Sequence, residues 1–410
     1  MLPNIDYIFA HHPFDGKVQL ETYFLDMTEE LASFFFQCSS PADSLKPDDT
    51  FGADSVAYLN GTLSKVVDPW RNIKMAIKIS MKKDAPVSNA FLKMHELMHL
   101  PELDEKVRTA KELKTVFVAD FPGTFRTAMG RYIGAINPEL IRSKKWIRVG
   151  TSLDPSTDSE GGAAGDDYGL YAQHPKDWFL MDHTSVEDTL KMEKEIGAHT
   201  ADIVTGDIGK NLRSWVTQEE NMFCEQYGQF LATCILLKDD GVAMLKMFQS
   251  FSAAGCCMLR LATAFFQKSR IYKPRSSWMA NNEVYWVLSG FKKDLFDKHK
   301  TDLLTVLSET MSDRSKDHDI IPRPFLPRKA LDDEFLKEVE MVGKCKSLSL
   351  HGASKMIAYH ASKYLGKVID PKKIQFDVAR EYSTKGDIYA ETWVHRYPIR
   401  EFPNDLTPLL

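Results

Sequence analysis

The sequence predicts an α/β fold, in which a largely parallel sheet is covered by helices on both faces. From about residue 85, short apolar segments alternate with longer segments of helical period, and this alternation is typical of parallel sheets. The last two apolar segments are separated only by residues 274–282. Because that connection is too short for a crossover helix, we expect the final strand to run antiparallel to its neighbour.

The expected elements follow one another along the chain. The first helix of this region is expected to begin at Ser88 or Asn89, either of which can cap its first turn. Residues 154–167 are rich in Asp, Ser, Gly and Ala and predict a loop. The expected strands are residues 115–119, 146–153, 178–181, 201–205, 242–248, 270–273 and 283–288. The expected helices are residues 88–100, 124–136, 219–237 and 251–267.

Two extensions flank this region. We predict an N-terminal extension (residues 1–84), an α/β domain (85–295) and a mostly helical C-terminal extension (296–410). In the last part, a proline-rich linker at residues 320–327 precedes further helical text at 331–373. The extensions carry no legible chemistry, and we expect them to offer surfaces for protein partners.

The composition is that of an ordinary globular protein, with 43% hydrophobic and 27% charged residues and a formal net charge of −5. This charge excludes a global basic field, so nucleic acid would have to bind in a local basic groove. Six cysteines without a C-x-x-C spacing suit a reducing compartment. The N-terminus lacks the apolar core of a signal peptide, and no run of about 18 apolar residues occurs. We therefore expect a cytoplasmic or nuclear protein without a transmembrane helix.

One short stretch matches a metal-binding pattern. His95-Glu96-Leu97-Met98-His99 fits H-E-x-x-H, in which two histidines one helical turn apart bind zinc and the glutamate acts as a base. The usual downstream extension with a third ligand is absent, and Pro101 follows almost at once. We therefore expect no metal here, and a zinc peptidase is the less favoured alternative. Lys93 lies about 200° round the helix axis from His95, so the two side chains should face different neighbours.

Charged residues occur at the ends of several predicted strands, where doubly wound sheets bind their ligands. Lys246 interrupts an otherwise apolar strand, so it must pair, reach solvent or take part in chemistry. Asp207 ends one strand and Glu283 opens the last one, and each taken alone would be interpreted as a cap or turn residue. Gly123 follows the first strand and would let the backbone approach a ligand closely. The turn is not G-x-G-x-x-G, so it does not indicate a dinucleotide site.

Together these residues resemble the FtsJ-like family of S-adenosylmethionine-dependent RNA 2′-O-ribose methyltransferases, which carry a Lys-Asp-Lys-Glu tetrad. The family's S-R-A-x-x-K-L-x-E helix is matched at residues 88–96 and places the first lysine on Lys93. Its D-L-V-x-S-D-G segment gives Asp207, and its V-x-K-x-F strand gives Lys246. Its K-P-x-x-S-R-x-x-N-S-E-x-Y-x-V segment gives Glu283.

The resemblance covers about residues 85–292. It implies a Rossmann-like methyltransferase fold, with a mostly parallel seven-stranded sheet and an antiparallel last strand. It also implies that Lys246 is the general base, that Asp207 orients it, and that Lys93 and Glu283 hold the ribose. A lysine accepts a proton only if its pKa falls toward neutrality; burial and a second lysine lower that pKa, whereas carboxylates raise it.

The resemblance implies S-adenosylmethionine as the cofactor, bound at the turn that matches P-G-G-F. The implied contacts are Asp120, Phe121, Pro122, Gly123, Thr124 and Phe125, with Asp154 near the cofactor ribose and Asp182 near the adenine. Thr124 replaces the second glycine of the motif, and because a β-branched residue avoids positive φ, we expect its φ to stay negative. Gly206 replaces the serine before Asp207 and is expected to loosen that loop.

The Lys273-to-Glu283 segment, together with the Tyr168-Gly169-Leu170-Tyr171 stretch, looks most like mRNA cap methyltransferases of eukaryotes and large cytoplasmic DNA viruses. The implied partner is RNA, at the capped 5′ end of mRNA, and no membrane partner is expected. A viral origin would place the protein in the viral factory or the virion. The alternatives are 2′-O-methylation of rRNA or tRNA, and a non-catalytic RNA-binding scaffold, against which the complete tetrad argues.

Overall fold

The structure, a computed structural model, describes most of the chain. The described residues are 5–23, 25, 70–81, 86–154, 165–209, 218–248, 250–277, 281–316, 321–362, 390–400, 403, 405 and 406. None of the helices in these ranges is both long enough and apolar enough to cross a membrane. The cysteines within them are free thiols: Cys224, Cys234, Cys256, Cys257 and Cys345.

Eight strands form one mixed sheet in the described ranges. They are β1 Asp6–Phe9, β2 Leu113–Val118, β3 Trp146–Ser152, β4 Trp178–Leu180, β5 Ala201–Gly206, β6 Leu237–Met247, β7 Phe266–Tyr272 and β8 Val284–Phe291. Their order across the sheet is β1-β7-β8-β6-β5-β2-β3-β4. Strands β2 to β6 pair in parallel, whereas β8 is antiparallel to both β6 and β7. The predicted α/β fold with an antiparallel last strand is therefore confirmed, and the strand order reverses beside β2, as in doubly wound sheets.

Helices pack on both faces of the sheet. They are α1 Arg71–Ser80, α2 Asn89–Leu97, α3 Pro101–Thr109, α4 Thr124–Ile136, α5 Glu139–Arg142, α6 Leu170–Gln173, α7 Val186–Met192, α8 Gln218–Leu236, α9 Ala253–Phe265, α10 Lys293–Lys316 and α11 Asp333–Ser362. The four expected helices are all present with ends shifted by a few residues. The helical text expected beyond Ser362 lies outside the described residues.

The two faces of the sheet bury separate apolar clusters. In β2, Val116 and Val118 belong to the cluster with α8, α9 and α10, whereas Phe117 belongs to the cluster with α2 and α4. In β5, Val204 and Ile203 divide in the same way. Because successive side chains of a strand point to opposite faces, a strand covered on both sides is apolar throughout. This explains why the central strands could be predicted from the sequence.

The sheet has one strand more than the seven that were expected. The extra strand, β1, comes from the N-terminal extension and pairs antiparallel with β7, from Asp6 opposite Tyr272 to Phe9 opposite Ser269. It is only four residues long, too short for a periodic signal in the sequence. Strand β6 also begins earlier than expected. Its first residues are mostly polar, and for that reason the sequence indicated a loop there.

The N-terminal and C-terminal extensions are in contact with each other. Glu338 of α11 accepts hydrogen bonds from the Tyr7 hydroxyl at 2.8 Å and the Ala10 N–H at 3.1 Å. The Gln19 N–H donates to the Phe325 carbonyl at 3.0 Å. Both extensions also contribute to the apolar cluster that lies on the α9 face of the sheet. The division into three parts stays a prediction.

Candidate active site

Helix α2 presents Lys93 to the edge of the sheet. Ser88 caps the helix by accepting a hydrogen bond from the Ala90 N–H at 3.1 Å, as its place before the helix predicts. The Lys93 Nζ lies 2.6 Å from the Glu283 Oε1, and both side chains are largely buried. The first lysine and the last glutamate of the tetrad, 190 positions apart in sequence, thus form one ion pair.

The second pair, Lys246 and Asp207, comes from the neighbouring parallel strands β6 and β5. Gly206 is paired with Leu245 in the register of the sheet, so the next residue along each strand falls side by side. The Lys246 Nζ lies 3.2 Å from the Asp207 Oδ1 and donates to the Asp207 carbonyl at 3.1 Å. The parallel register therefore places this pair at the carboxyl edge of the sheet.

The two pairs form one electrostatic cluster. Burial alone would raise the pKa of Glu283, but Lys93 and Lys246 hold it at about 2. Burial raises the pKa of Asp207 despite the two lysines nearby. Burial alone would lower the pKa of Lys246, but Asp207 and Glu283 outweigh burial and raise it. Without substrate, Lys246 is therefore an ammonium ion at neutral pH. A proton acceptor requires the opposite change, a lowered pKa.

Three residues that the sequence did not single out support the tetrad. The Lys273 Nζ donates to the Glu283 carbonyl at 2.9 Å and to the Asn281 carbonyl at 3.0 Å, closing the loop that carries Glu283. Burial lowers the pKa of Lys273 to about 7. The Tyr285 hydroxyl donates to the Asp207 Oδ1 at 3.3 Å. Lys273 and Tyr285 both lie inside quoted motifs, but a motif does not state which of its members make contact.

Gln229 of α8 is the third supporting residue. Its Oε1 accepts from the Ile208 N–H at 3.0 Å, and its Nε2 donates to the Lys246 carbonyl at 3.1 Å. A Cβ at Gly206 would lie 2.4 Å from the Gln229 Oε1. The expectation that Gly206 loosens the loop is therefore wrong: the glycine admits the glutamine that ties Ile208 to Lys246.

The turn between β2 and α4 is shaped by Asp120. Its Oδ1 accepts from the Phe125 N–H and its Oδ2 from the Arg126 N–H, each at 2.9 Å. Burial raises the pKa of Asp120 to about 7 although both bonds oppose the shift. Both carboxylate oxygens are thus used to fold the turn. Phe125 is fully buried, so its side chain belongs to the core.

The left-handed position of the turn falls on Gly123, with φ of +90°. Thr124 begins α4 directly afterwards and is not among the residues with positive φ. The negative φ that was expected for Thr124 is therefore confirmed. The glycine that the turn keeps takes the positive φ instead. A Cβ at Gly123 would lie 2.4 Å from the Leu170 Cδ1, so α6 packs directly over the turn.

The remaining predicted cofactor residues lie along the same edge of the sheet. Phe121 packs against Trp178, with ring centroids 4.6 Å apart, and Pro122 follows it through a cis peptide bond. Asp154 lies two residues beyond the end of β3. Asp182 lies two residues beyond β4, and its Oδ1 accepts from the Thr184 N–H at 2.8 Å. These positions follow neighbouring parallel strands, as a shared ligand would require.

The side chains of the H-E-x-x-H stretch are bonded and packed within the protein. Glu96 is fully buried and accepts hydrogen bonds from Tyr272, Ser276 and Trp393, among others. The imidazoles of His95 and His99 lie in an aromatic cluster with ring centroids 4.8 Å apart, and burial lowers the pKa of His95 to about 3. Across the described ranges, no group of three or more His, Cys, Asp or Glu side chains could hold a metal ion.

Comparison with known proteins places these motifs in context. A family model described as FtsJ-like methyltransferase matches residues 168–291. That range contains Asp207, Lys246 and Glu283 but neither Lys93 nor the Pro122-Gly123 turn, so the geometry of the first lysine and of the turn is evidence independent of the match.

Several relatives are similar to more than half of the chain. An uncharacterized protein of Acanthamoeba polyphaga mimivirus is 25% identical over 57% of this chain and 29% of its own length. The cap-specific mRNA (nucleoside-2'-O-)-methyltransferase 2 of Danio rerio is 21% identical over 62% of this chain and 34% of its own length. A probable methyltransferase of African swine fever virus is 24% identical over 54% of this chain and 53% of its own length. The chain thus spans about a third to a half of the length of these relatives.

Among solved structures, human methyltransferase-like protein 13 in complex with S-adenosylhomocysteine is similar with a TM-score of 0.30 at 11% identity, covering 53% of this chain and 89% of that chain. The assignment does not depend on so low a score. It depends on the strand order, the tetrad motifs and the family match. On these grounds the chain is similar to the FtsJ-like methyltransferases over the part of the sequence that carries these motifs.

Proposed function

We propose that the protein transfers a methyl group from S-adenosylmethionine to a ribose 2′-OH of RNA, at the capped 5′ end of mRNA. The observation that carries the proposal is the convergence of four separated side chains at one sheet edge: Lys93 with Glu283 at 2.6 Å, and Lys246 with Asp207 at 3.2 Å. A 2′-OH is a weak nucleophile that needs alignment and a proton acceptor. Two amines interleaved with two carboxylates suit both needs.

The cofactor proposal is supported by the β2–α4 turn. FtsJ-like methyltransferases use S-adenosylmethionine, whose sulfonium supplies the methyl group as an electrophile. Gly123 takes positive φ, which lets the turn follow directly on β2, and Leu170 of α6 fills the space beside it where a Cβ would lie. We propose that Pro122, Gly123 and Thr124 border the cofactor, with Asp154 near its ribose hydroxyls and Asp182 near the adenine.

The proposed chemistry assigns each tetrad member a separate task. The Lys93–Glu283 pair holds the ribose by hydrogen bonds to its hydroxyl groups. Lys246 lies opposite the 2′-OH and receives its proton, while Asp207 fixes the direction of the amine. Because Asp207 and Glu283 raise the pKa of Lys246 in the free protein, the role requires that bound RNA bury the amine further, which lowers its pKa by desolvation.

The choice of capped mRNA is the finer part of the proposal. It is supported by the relative from Danio rerio, whose name describes a cap-specific mRNA 2′-O-methyltransferase, and by the Lys273-to-Glu283 segment. The tetrad does not distinguish mRNA from rRNA or tRNA, since all present the same ribose. Incubation with labelled S-adenosylmethionine and matched capped and uncapped RNAs separates them: we expect label in the capped RNA, and equal labelling of both would overturn the cap assignment.

The catalytic assignment is tested with Lys246→Ala. We expect kcat to fall by about 10²–10⁴-fold, the usual contribution of a positioned acid or base, while S-adenosylmethionine binding by calorimetry persists. The matched control is Lys114→Ala, since Lys114 is also a strand lysine but bonds to Ile196 and Thr200 at the opposite end of the sheet. A near-normal rate in Lys246→Ala would contradict its assignment as the base.

Two other classes of function are separated by simple measurements. A non-catalytic scaffold would bind RNA without transferring the labelled methyl group to it. A zinc peptidase would contain stoichiometric metal, which elemental analysis of the purified protein would detect; we expect none, because within the described ranges no third His, Cys, Asp or Glu side chain joins His95 and His99 in a group that could hold a metal ion.

A further inference from the structure

Glu96 is the most completely bonded carboxylate among the described residues. Its Oε1 accepts from the Tyr272 hydroxyl at 2.7 Å and the Arg275 N–H at 2.8 Å. Its Oε2 accepts from the Ser276 N–H at 3.1 Å, the Ser276 hydroxyl at 3.0 Å and the Trp393 indole N–H at 2.8 Å. The side chain is fully buried, so water does not contribute to its solvation.

The bonding of Glu96 is unusual because its partners are neutral. No Lys or Arg side chain in the described ranges forms an ion pair with it, and all five donors are N–H or O–H groups without charge. A buried ionised carboxylate is strongly destabilising unless its hydrogen bonds are made. Each donor therefore has to stay in place, and the five together form a rigid junction.

The junction connects three separate parts of the chain to the tetrad. Glu96 lies one helical turn after Lys93 on α2. Arg275 and Ser276 belong to the loop that leads from β7 to Glu283, whose other anchor is Lys273. Trp393 belongs to the C-terminal extension, whose residues 390–396 are helical. The junction therefore ties the helix of one tetrad member to the loop of another, and the extension closes it.

A second contact from the C-terminal extension supports the same junction. The Tyr272 and Tyr397 hydroxyls lie 2.9 Å apart. Since Tyr272 donates its single proton to Glu96, Tyr397 donates to Tyr272. Tyr397 and Trp393 thus act on the same carboxylate, one through Tyr272 and one directly.

We propose that Glu96 is a positioning residue that sets the Lys93–Glu283 pair, and that the C-terminal extension is part of the active site's frame because Trp393 completes the bonding of Glu96. This inference rests on the proposed function for its kinetic readout, but its structural readout does not. It assigns a task to the H-E-x-x-H glutamate and to an extension that the motif resemblance does not cover.

The test uses Trp393→Phe in the full chain. Phenylalanine keeps the ring among Trp70, His95 and Tyr397 but removes the N–H donor. We expect kcat to fall by about tenfold through misplacement of the pair, with little change in KM for S-adenosylmethionine. Trp146→Phe is the matched control, since Trp146 is a buried tryptophan whose indole N–H donates to Thr115 at 3.2 Å, away from the tetrad; its kcat should be unchanged.

A double-mutant cycle distinguishes positioning from general destabilisation. If Trp393 acts through Glu96, then Trp393→Phe should have no further effect on kcat in a Glu96→Gln background. Tyr272→Phe, which removes a different donor, should reproduce the kinetic loss. Equal kcat for wild type and Trp393→Phe, or fully additive losses with Glu96→Gln, would overturn the proposal.

A readout that does not need methyl transfer is the titration of Glu283, followed by carbon-13 NMR of its carboxyl group. Lys93 and Lys246 hold the pKa of Glu283 at about 2. If the junction sets the pair, Trp393→Phe should move that pKa upward, whereas Trp146→Phe should not. An unmoved titration overturns the positioning role even if RNA is not the substrate; a shifted titration without RNA methylation supports the junction and rejects the proposed function.

Discussion

Two buried carboxylates, Glu283 paired with Lys93 of helix α2 and Glu96 on the same helix, are held by different kinds of contact. Glu283 faces the Lys93 amine at 2.6 Å, and Lys246 adds a second cation nearby. Glu96 accepts five hydrogen bonds from neutral donors and forms no ion pair within the described ranges. The first carboxylate belongs to a charge cluster at the sheet edge, and the second to a junction behind it.

The difference separates a chemical site from its support. The charge cluster contains two amines and two carboxylates, so an entering polar ligand can replace one ion-pair contact by another without leaving a buried charge unpaired. A buried carboxylate that depends on fixed N–H and O–H donors has no such freedom. The helix motif holds Lys93, which belongs to the charge cluster, and Glu96, which belongs to the junction, within one helical turn. Only the contacts show which residue has which role.

Among the changes on helix α2, Lys93→Ala should produce the largest effect, because it leaves Glu283 buried without its nearest cation. We expect kcat to fall by about a hundredfold or more. Removing one member of a buried ion pair leaves the other charge uncompensated, which costs roughly 3–5 kcal/mol. Lys74→Ala is the control, because Lys74 contacts the start of the same helix through Asn89 at 2.6 Å on the exposed side. Radiolabel transfer to RNA measures both, and equal losses would remove the distinction between the two sides of α2.

The stability of the protein should depend on pH through Glu283. The folded-state pKa of Glu283 lies at about 2, below its ordinary value of 4.5, so its stabilisation is present above pH 4.5 and is lost as the pH falls from 4.5 toward 2. Between pH 5 and pH 3 the loss should be on the order of 2 kcal/mol. Urea unfolding of wild type and Glu283→Gln at pH 5 and pH 3 measures it. The variant should show the smaller drop, and equal drops would contradict the ion-pair account.

The fold and the tetrad were predictable for a common physical reason. Parallel strands buried on both faces are apolar along their whole length, so an interrupting residue such as Lys246 is conspicuous. Asp207 and Glu283 were placed by motifs that keep fixed distances from strand ends. In each case the signal was local in sequence, and the sheet brought the local signals together at one edge.

What the sequence did not reveal depends on distant partners. The donors of Glu96 come from residues 272–276 and from Trp393, more than 170 positions away along the chain. That Asp120 contacts the cofactor stays a prediction; what the sequence did not show is that its oxygens also accept from the N–H groups of Phe125 and Arg126. The pKa of Lys246 depends on the balance of burial against two carboxylates, and only distances resolve that balance.

The smallest effect is expected for the histidines that gave the H-E-x-x-H match. His95 bonds weakly to the Tyr397 carbonyl at 3.4 Å, and His99 bonds to the His95 carbonyl at 2.9 Å. In the described ranges neither imidazole is hydrogen-bonded to the tetrad or to the Glu96 carboxylate, although the His95 ring packs 5.8 Å from that of Trp393. Replacing both with asparagine should therefore lower the thermal stability somewhat, through lost aromatic packing, while the kcat of the folded protein changes by far less than in Lys93→Ala. Activity normalised to folded protein decides the point: a loss as large as that of Lys93→Ala would show that the far side of α2 takes part in catalysis.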